Sequence, residues 1–366
     1  MTLKTTPLFD AHDALGASFT DFNGWNMPLK YTSEMTEHKA VREAVGIFDL
    51  SHMGEIFITG PDAVTGLNTA LAGDFSKMTV GRAKYTVMLT EDGTILDDLI
   101  VYRLGEDRYL MVPNAGNADT VFKAVSERTA GMDLSVDDAT ADLSLLGVQG
   151  PKAAEVVAAL GPEFADAATN LKNYRVTEIS ADDSDWIVAR TGYTGEDGFE
   201  IITPNHQIVG LWEQLFALDV GVDITACGLA SRDSLRLEAG MPLYGNELST
   251  QRTPFEAGMG RIVSFDKPEN FVGRSALEPL RDTTPEQVLV GLTSDQRRAA
   301  RSGADITIDG QTVGTVTSGI PSPTLSKPVA LGYINAEHAS PDTAVQIDVR
   351  GKALPFTVTK PPFYTR

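Results

Sequence analysis

From about residue 285 onward the chain is a succession of short apolar runs broken by turn signals: VLVGLT, ADITIDGQTVGTVTSG, PVALGYI and AVQIDVRGKALPFTV. Asp309-Gly310, set between ITI and QTVGTV, is a strong hairpin signal, because a two-residue turn needs positive φ at both central positions and Asp-Gly tolerates it. A tail of this texture predicts a compact β-rich C-terminal domain, 281–366, behind a boundary near residue 280.

Upstream the texture is mixed. Residues 33–48, SEMTEHKAVREAVGIF, open on a capping serine and predict an amphipathic helix ending near Gly46. EIFITG, YTVMLT and ILDDLIVY read as strands, with a turn at EDG before the last. GPKAAEVVAALG, 150–161, has proline just inside a helix start and glycine just past its end, and HQIVGLWEQLF puts Ile208, Leu211, Trp212 and Leu215 on one stripe. DWIVARTGYTGEDGFEII reads as strand, glycine-rich turn and strand, and GLASRDSLRLEAG, 228–240, as a helix stopped by Gly240. Strands and helices alternate without a strict βαβ rhythm, which predicts an α+β fold. No fixed-period repeat or low-complexity tract interrupts it.

With 366 residues, 42% of them hydrophobic and 22% charged, the chain has room for roughly two or three domains at about 150 residues each and an ordinary globular composition. A formal net charge of -20 sets a long-range field that repels phosphate, so neither nucleic acid nor an anionic membrane is an expected partner. A single cysteine, Cys227, leaves no disulfide framework or cysteine-cluster metal site. The opening MTLKTTPLFDAHDALG lacks a signal-peptide core, and no segment approaches about 20 uninterrupted apolar residues. A soluble cytoplasmic protein is the expectation.

Several familiar chemistries fail on spacing. MLTEDGTILDDL resembles a calcium loop around Gly93, but its first and twelfth positions are Met88 and Leu99, which offer no carboxylate. GYTGEDG lacks the Gly-Lys-Ser/Thr ending of a phosphate loop, no HExxH or CxxC occurs, and no dinucleotide fingerprint follows a strand. What remains is a set of polar residues on apolar elements: Asp98 with Tyr102 in TILDDLIVY, Asn114, Tyr193, Glu200 and Arg232. If TILDDLIVY is extended, Leu96, Asp98, Ile100 and Tyr102 share one face and Asp97, Leu99 and Val101 the other. Plainer roles stay open for each: Asp97 and Asp98 at a turn or strand edge, Glu200 on an exposed strand face, Arg232 in a helix-surface ion pair, His52 as a satisfied structural histidine and Cys227 as a small core residue.

Six ordered blocks carry a resemblance. FNGWNMPLKY, EHKAVREAVGIFDLSHMGEI, ILDDLIVYR, RTGYTGEDGFEI, ASRDSLRLEAGMPLYGNEL and FVGRSAL are similar to blocks of the aminomethyltransferase (T-protein) family of the glycine cleavage system, and the similarity runs nearly end to end. The resemblance implies a three-domain cloverleaf around a central folate channel, with two interleaved α+β subdomains in 1–280 and a β-rich barrel after them. It implies transfer of the methylene on a lipoylated H-protein to tetrahydrofolate, with folate and H-protein as partners, no metal, and a monomer. Asp98 matches the aspartate beside the folate nitrogens, Glu200 the pterin-reading glutamate, and Tyr193, Arg232 and Asn114 the lining of the folate site. Tyr102 shares the face of Asp98, Met53 and Tyr85 match wall positions, and Tyr364 in FYTR is the C-terminal aromatic contact. Met241 stands where some members have an aromatic. Arg297, Arg298 and Arg301 in DQRRAARSG form a candidate H-protein contact.

The same fold family includes a folate-binding protein of iron-sulfur cluster maintenance without transferase activity, whose glycine-rich signature holds a cysteine; here that stretch is RTGYTGEDG. A folate-using demethylating oxidase needs a flavin domain for which the chain has no fingerprint. An acidic interaction scaffold predicts no folate binding at all.

Overall fold

The computed structural model describes residues 2–181 and 184–366. The chain forms two compact units that do not follow sequence order: one takes the residues through Ala70, Phe75–Thr86 and Leu99–Arg232, the other Leu71–Asp74, Val87–Asp98 and Asp233–Arg366.

In the first unit a six-stranded sheet is ordered Val176–Ala181, Ser184–Ala189, Gly198–Pro204, Leu143–Gln149, Val45–Asp49 and Ile224–Ala226, with the last pair parallel and the others antiparallel. Its core brings Val45, Ile47, Leu146, Val148, Phe199 and Ile201 together with apolar residues of the helices Ala153–Ala158, Pro162–Asn170 and Ile208–Ala217. The stripe of Ile208, Leu211, Trp212 and Leu215 is buried as its spacing requires. A five-stranded sheet is ordered Ala83–Leu89, Ile95–Arg103, Arg108–Val112, Ile56–Thr59 and Ser135–Asp138. Mixed sheets with helices bear out the α+β expectation.

The helix expected over 33–48 is shorter. It runs Glu34–Glu43, with the Ser33 hydroxyl accepting from the Thr36 N–H, and Ala44 leaves helical geometry at φ -143° and ψ -106°. Val45–Asp49 is instead a fully buried strand. Tertiary packing decides this: a Cβ on Gly46 would lie 2.4 Å from Val41 Cγ2 and 2.7 Å from Cys227 Sγ, so the strand presses against the preceding helix where only glycine fits. Similarly, GPKAAEVVAALG yields only the helix Ala153–Ala158. A two-residue hairpin joins Ser18–Phe22 to Trp25–Lys30 through Asn23 (φ 53°) and Gly24 (φ 83°), a turn pattern present in FNGW but not read from it.

In the second unit six strands close a barrel in the order Gln287–Thr293, Pro328–Asn335, Gln311–Pro321, Asp305–Ile308, Ala344–Asp348 and Ala353–Thr359. Its interior holds Leu292, Ile306, Val316, Ile334, Ile347 and Phe356. Asp309 (φ 49°) and Gly310 (φ 79°) make the expected hairpin turn. Closure removes the exposed strand edges that so many short β segments would otherwise present.

Candidate active site

The first unit holds seven of the nine site candidates: Met53, Tyr85, Tyr102, Asn114, Tyr193, Glu200 and Arg232. Asp98 and Tyr364 lie in the second. Tyr102 and Glu200 stand 98 residues apart in sequence and meet directly, the buried Tyr102 hydroxyl donating to Glu200 Oε2 at 3.0 Å. Thr191, which sequence reading did not single out, joins them. Its hydroxyl donates to the same carboxylate oxygen and lies 3.1 Å from the Tyr102 hydroxyl. Burial, with the Glu200 charge beside it, pushes the Tyr102 phenol well above its ordinary range, so it remains a neutral donor.

Glu200 sits in the Gly198–Pro204 strand, paired with Ala189 on one side and Gly147 on the other. It is half-buried rather than on an open face. Tyr193 extends from the loop before that strand, and the Arg232 guanidinium lies over its ring at 4.8 Å, a cation-π contact. Arg232 therefore has a ring beneath it rather than a helix-surface ion pair. The start of its helix, Leu229–Glu238, is held by Glu37, fully buried, whose carboxylate accepts from Gly228 N–H at 2.9 Å, Tyr31 N–H at 2.8 Å and Thr32 N–H at 2.9 Å. Burial lowers the Arg232 pKa from its usual value while Tyr193 and Glu200 oppose that shift.

His52 is 2% exposed and edge-on to Phe22. The expectation of a satisfied structural histidine needs correcting: its Nδ1 is buried without a hydrogen-bond partner. Burial lowers its pKa to about 4, with Asp49 opposing and Arg232 adding to the shift, so the ring is neutral at pH 7. Cys227 is 1% exposed and its thiol is pushed up by burial and by Glu37, an inert core position as expected. Tyr174, also not singled out from sequence, has its phenol raised by burial and then by the Glu200 charge, and adopts φ 57°. A non-glycine residue in the left-handed region was the structural signal for it, and sequence carried none.

Met53 and Tyr85 are half-buried, Tyr85 within Ala83–Leu89, and Asn114 follows the Arg108–Val112 strand. From Ile95 to Val101 the burial alternates as the extended reading requires, Asp97 inward and Asp98 partly open, while Tyr102, on the Asp98 face, departs from it by being fully buried. Asp97, third in the strand Ile95–Arg103, is 0% exposed and lies ahead of the stretch Ile100–Arg103 that pairs with Arg108–Val112. Tyr364 is anchored through its N–H, which donates to the carbonyl of Glu238 at 2.8 Å. No group of His, Cys, Asp and Glu among the described residues could hold a metal ion, and no helix among them is long and apolar enough to cross a membrane.

A carboxylate fed by two hydroxyls, beside a cation stacked on a ring, suits a flat heterocycle carrying adjacent N–H donors. Comparisons with known proteins show the family. The GCVT N-terminal domain family matches residues 8–267, and the glycine cleavage T-protein C-terminal barrel domain matches 287–365. The chain belongs to the glycine cleavage T-protein family. It is 50% identical to an aminomethyltransferase of Cutibacterium acnes, covering 100% of this chain and 99% of the relative. It is 39% identical to that of Bacillus subtilis over 100% of both. The T-protein fold is shared with the glycine cleavage system aminomethyltransferase T of Bartonella henselae, at a TM-score of 0.91 and 37% identity, covering 99% of this chain and 98% of that one.

Proposed function

We infer that the protein is the tetrahydrofolate-dependent aminomethyltransferase of the glycine cleavage system. The observation that carries this reading is end-to-end identity of 50% with an aminomethyltransferase, combined with a first-unit cluster whose chemistry suits a pterin. The substrate we propose is the aminomethyl group on the lipoyl arm of an H-protein. Its methylene loses its bonds to sulfur and to the departing nitrogen and gains bonds to two folate nitrogens, yielding 5,10-methylenetetrahydrofolate, ammonia and dihydrolipoyl H-protein.

In this reading Glu200 accepts from the adjacent N–H and amino groups of the pterin, and Tyr102 and Thr191 hold its carboxylate in place. Tyr193 stacks on the ring, Arg232 supports Tyr193 from behind, and Met53, Tyr85 and Asn114 complete the wall. Asp98 is the catalytic group. Its carboxylate orients the folate, stabilises the cationic iminium that forms as carbon transfers, and takes part in proton transfer. Tyr364 contributes the C-terminal aromatic contact. Residues 1–280 would form the folate-binding region and 281–366 the barrel domain.

Calorimetric titration with tetrahydrofolate, followed in the same preparation by turnover with aminomethyl-loaded H-protein, tests the proposal. Binding with methylenetetrahydrofolate production is the expected result. Binding without turnover would move the chain to the cluster-maintenance relative, against which the absence of cysteine from RTGYTGEDG already argues, and no folate binding would overturn both.

A further inference from the structure

The glycine-rich stretch RTGYTGEDG fails as a phosphate loop, and the structure shows a different use for its glycines. Gln149, the last residue of Leu143–Gln149 and 3% exposed, extends its side chain into the loop. Its Nε2 donates to Thr191 O at 3.1 Å and to Phe199 O at 3.4 Å, and its Oε1 accepts from the Thr194 hydroxyl at 2.9 Å. The three partners span the loop from one end to the other. A Cβ on Gly192 would lie 2.0 Å from Gln149 Oε1, and one on Gly198 would lie 2.4 Å from Nε2.

Neither glycine is needed by the backbone. Positive φ in this loop belongs to Gly195, at 81°, whereas Gly192 and Gly198 are absent from the left-handed positions. Their missing side chains are space for an amide that three hydrogen bonds hold still, so it cannot swing away cheaply. An amide is also the one side-chain end of this size that donates twice and accepts at once; a carboxylate would face two carbonyl oxygens with no proton to give. Arg42 closes the outer side, donating to Thr194 O at 2.7 Å and to Glu196 Oε1 at 3.0 Å.

The groups so held are the ones the site uses. Thr191 donates to Glu200, Tyr193 lies between Thr191 and Thr194 in the chain and carries the Arg232 contact, and Glu200 follows Phe199. We propose that Gln149 is the positioning residue of the folate site, its amide setting the geometry in which Thr191, Tyr193 and Glu200 meet the pterin without itself touching the substrate. This rests on the assignment of those three residues to folate.

The test is a set of four variants, Gln149→Leu, Gln149→Ala, Gly198→Ala and the double Gln149→Ala/Gly198→Ala, each checked for native circular dichroism. Gln149→Leu is expected to raise the tetrahydrofolate Kd and KM by about tenfold, equivalent to about 1.4 kcal/mol, with a smaller change in kcat at saturating folate, since the reacting carboxylate is elsewhere. Gly198→Ala should weaken binding comparably in the parent and far less in the Gln149→Ala background, where the clashing amide is gone. A folded Gln149→Leu with parental Kd, or a Gly198→Ala loss undiminished by removing Gln149, would overturn the proposal. Glu200→Ala separates the two layers: parental folate binding in that variant refutes the folate assignment itself. Amide exchange over 191–198 then decides the positioning role without any folate, faster exchange in Gln149→Leu supporting it and parental exchange refuting it.

Discussion

Asp97 and Asp98 are neighbours in the chain and opposites in environment, the first sealed inside and the second partly open. Strand alternation made that split legible, but not which carboxylate is buried, because burial depends on what covers each face. Asp98→Asn keeps shape and removes the basic group, so turnover should fall by about 10²- to 10⁴-fold while tetrahydrofolate affinity stays near parental; single-turnover kinetics beside calorimetry reads both, and full turnover would refute the catalytic role. His52 carries a pH prediction. Its pKa is near 6.5 when exposed and about 4 when buried, so the folded state binds fewer protons. The stability from burying it neutral is complete above about pH 6.5 and is lost as pH falls toward about 4, amounting to about 3 kcal/mol at the acid end. Urea midpoints at pH 7.5 and pH 5 should therefore converge more in His52→Gln than in the parent. An equal acid loss in both proteins would assign it to other groups. Glu200 was recognisable from its block, whereas Thr191 and Gln149 were not, since a threonine and a glutamine acquire roles here only through partners 9 to 89 residues away.

The Leu229–Glu238 helix shows how much an element's role exceeds its pattern. Capping and periodicity located it, yet an arginine in a last turn reads as a surface complement to the helix dipole. Arg236 is instead 0% exposed. Its Nη1 donates to Glu247 Oε2 at 2.9 Å and to Met241 O at 3.0 Å, its Nη2 to Ser318 Oγ at 2.8 Å and its Nε to Asp233 Oδ1 at 2.8 Å. One guanidinium thus ties the helix to the segment after it and to a barrel strand. The helix ends in Glu238, whose carboxylate accepts from Ser322 and Thr324 and whose carbonyl accepts from Phe363 and Tyr364. Arg236→Met strands the buried Glu247 carboxylate and should cost about 3–5 kcal/mol, read as a fall in urea midpoint. Arg236→Met with Glu247→Leu should recover part of that loss, because no lone buried charge remains; a double variant no better than Arg236→Met would mean that lost packing, not the orphaned charge, sets the cost. The missed Val45–Asp49 strand has the same cause as the missed role of Arg236: close contact with Val41 and Cys227 is a tertiary fact, and VGIF alone continues a helical stripe as readily as it starts a strand.

At the scale of the whole molecule, the change of texture near residue 285 correctly announced the barrel strands, whereas the compact units draw Leu71–Asp74 and Val87–Asp98 out of the middle of the chain. Local pattern cannot reveal such interleaving, since each segment looks like its neighbours. Charge is the property that sequence gives for the whole chain at once, and at -20 it repels any acidic partner, which the family resemblance implies the proposed H-protein to be. Attraction must then be local. Arg297, Arg298 and Arg301 are all exposed, in the loop between the barrel strands Gln287–Thr293 and Asp305–Ile308. Of these, Arg301 donates to Gly319 O at 3.2 Å, which spends part of its guanidinium on the barrel and makes Arg298 the better probe. Charge reversal by Arg298→Glu should weaken H-protein affinity several-fold at about 0.05 M salt and much less at about 0.5 M, where screening shortens the reach of a rim charge. The parent should meanwhile gain or hold affinity as salt rises, because screening also relieves the net repulsion. Titrating lipoylated H-protein into both proteins across that range separates the two effects: a reversal that changes nothing at low salt removes Arg298 from the docking surface, and a loss that persists undiminished at high salt assigns it a buried contact instead of a steering one.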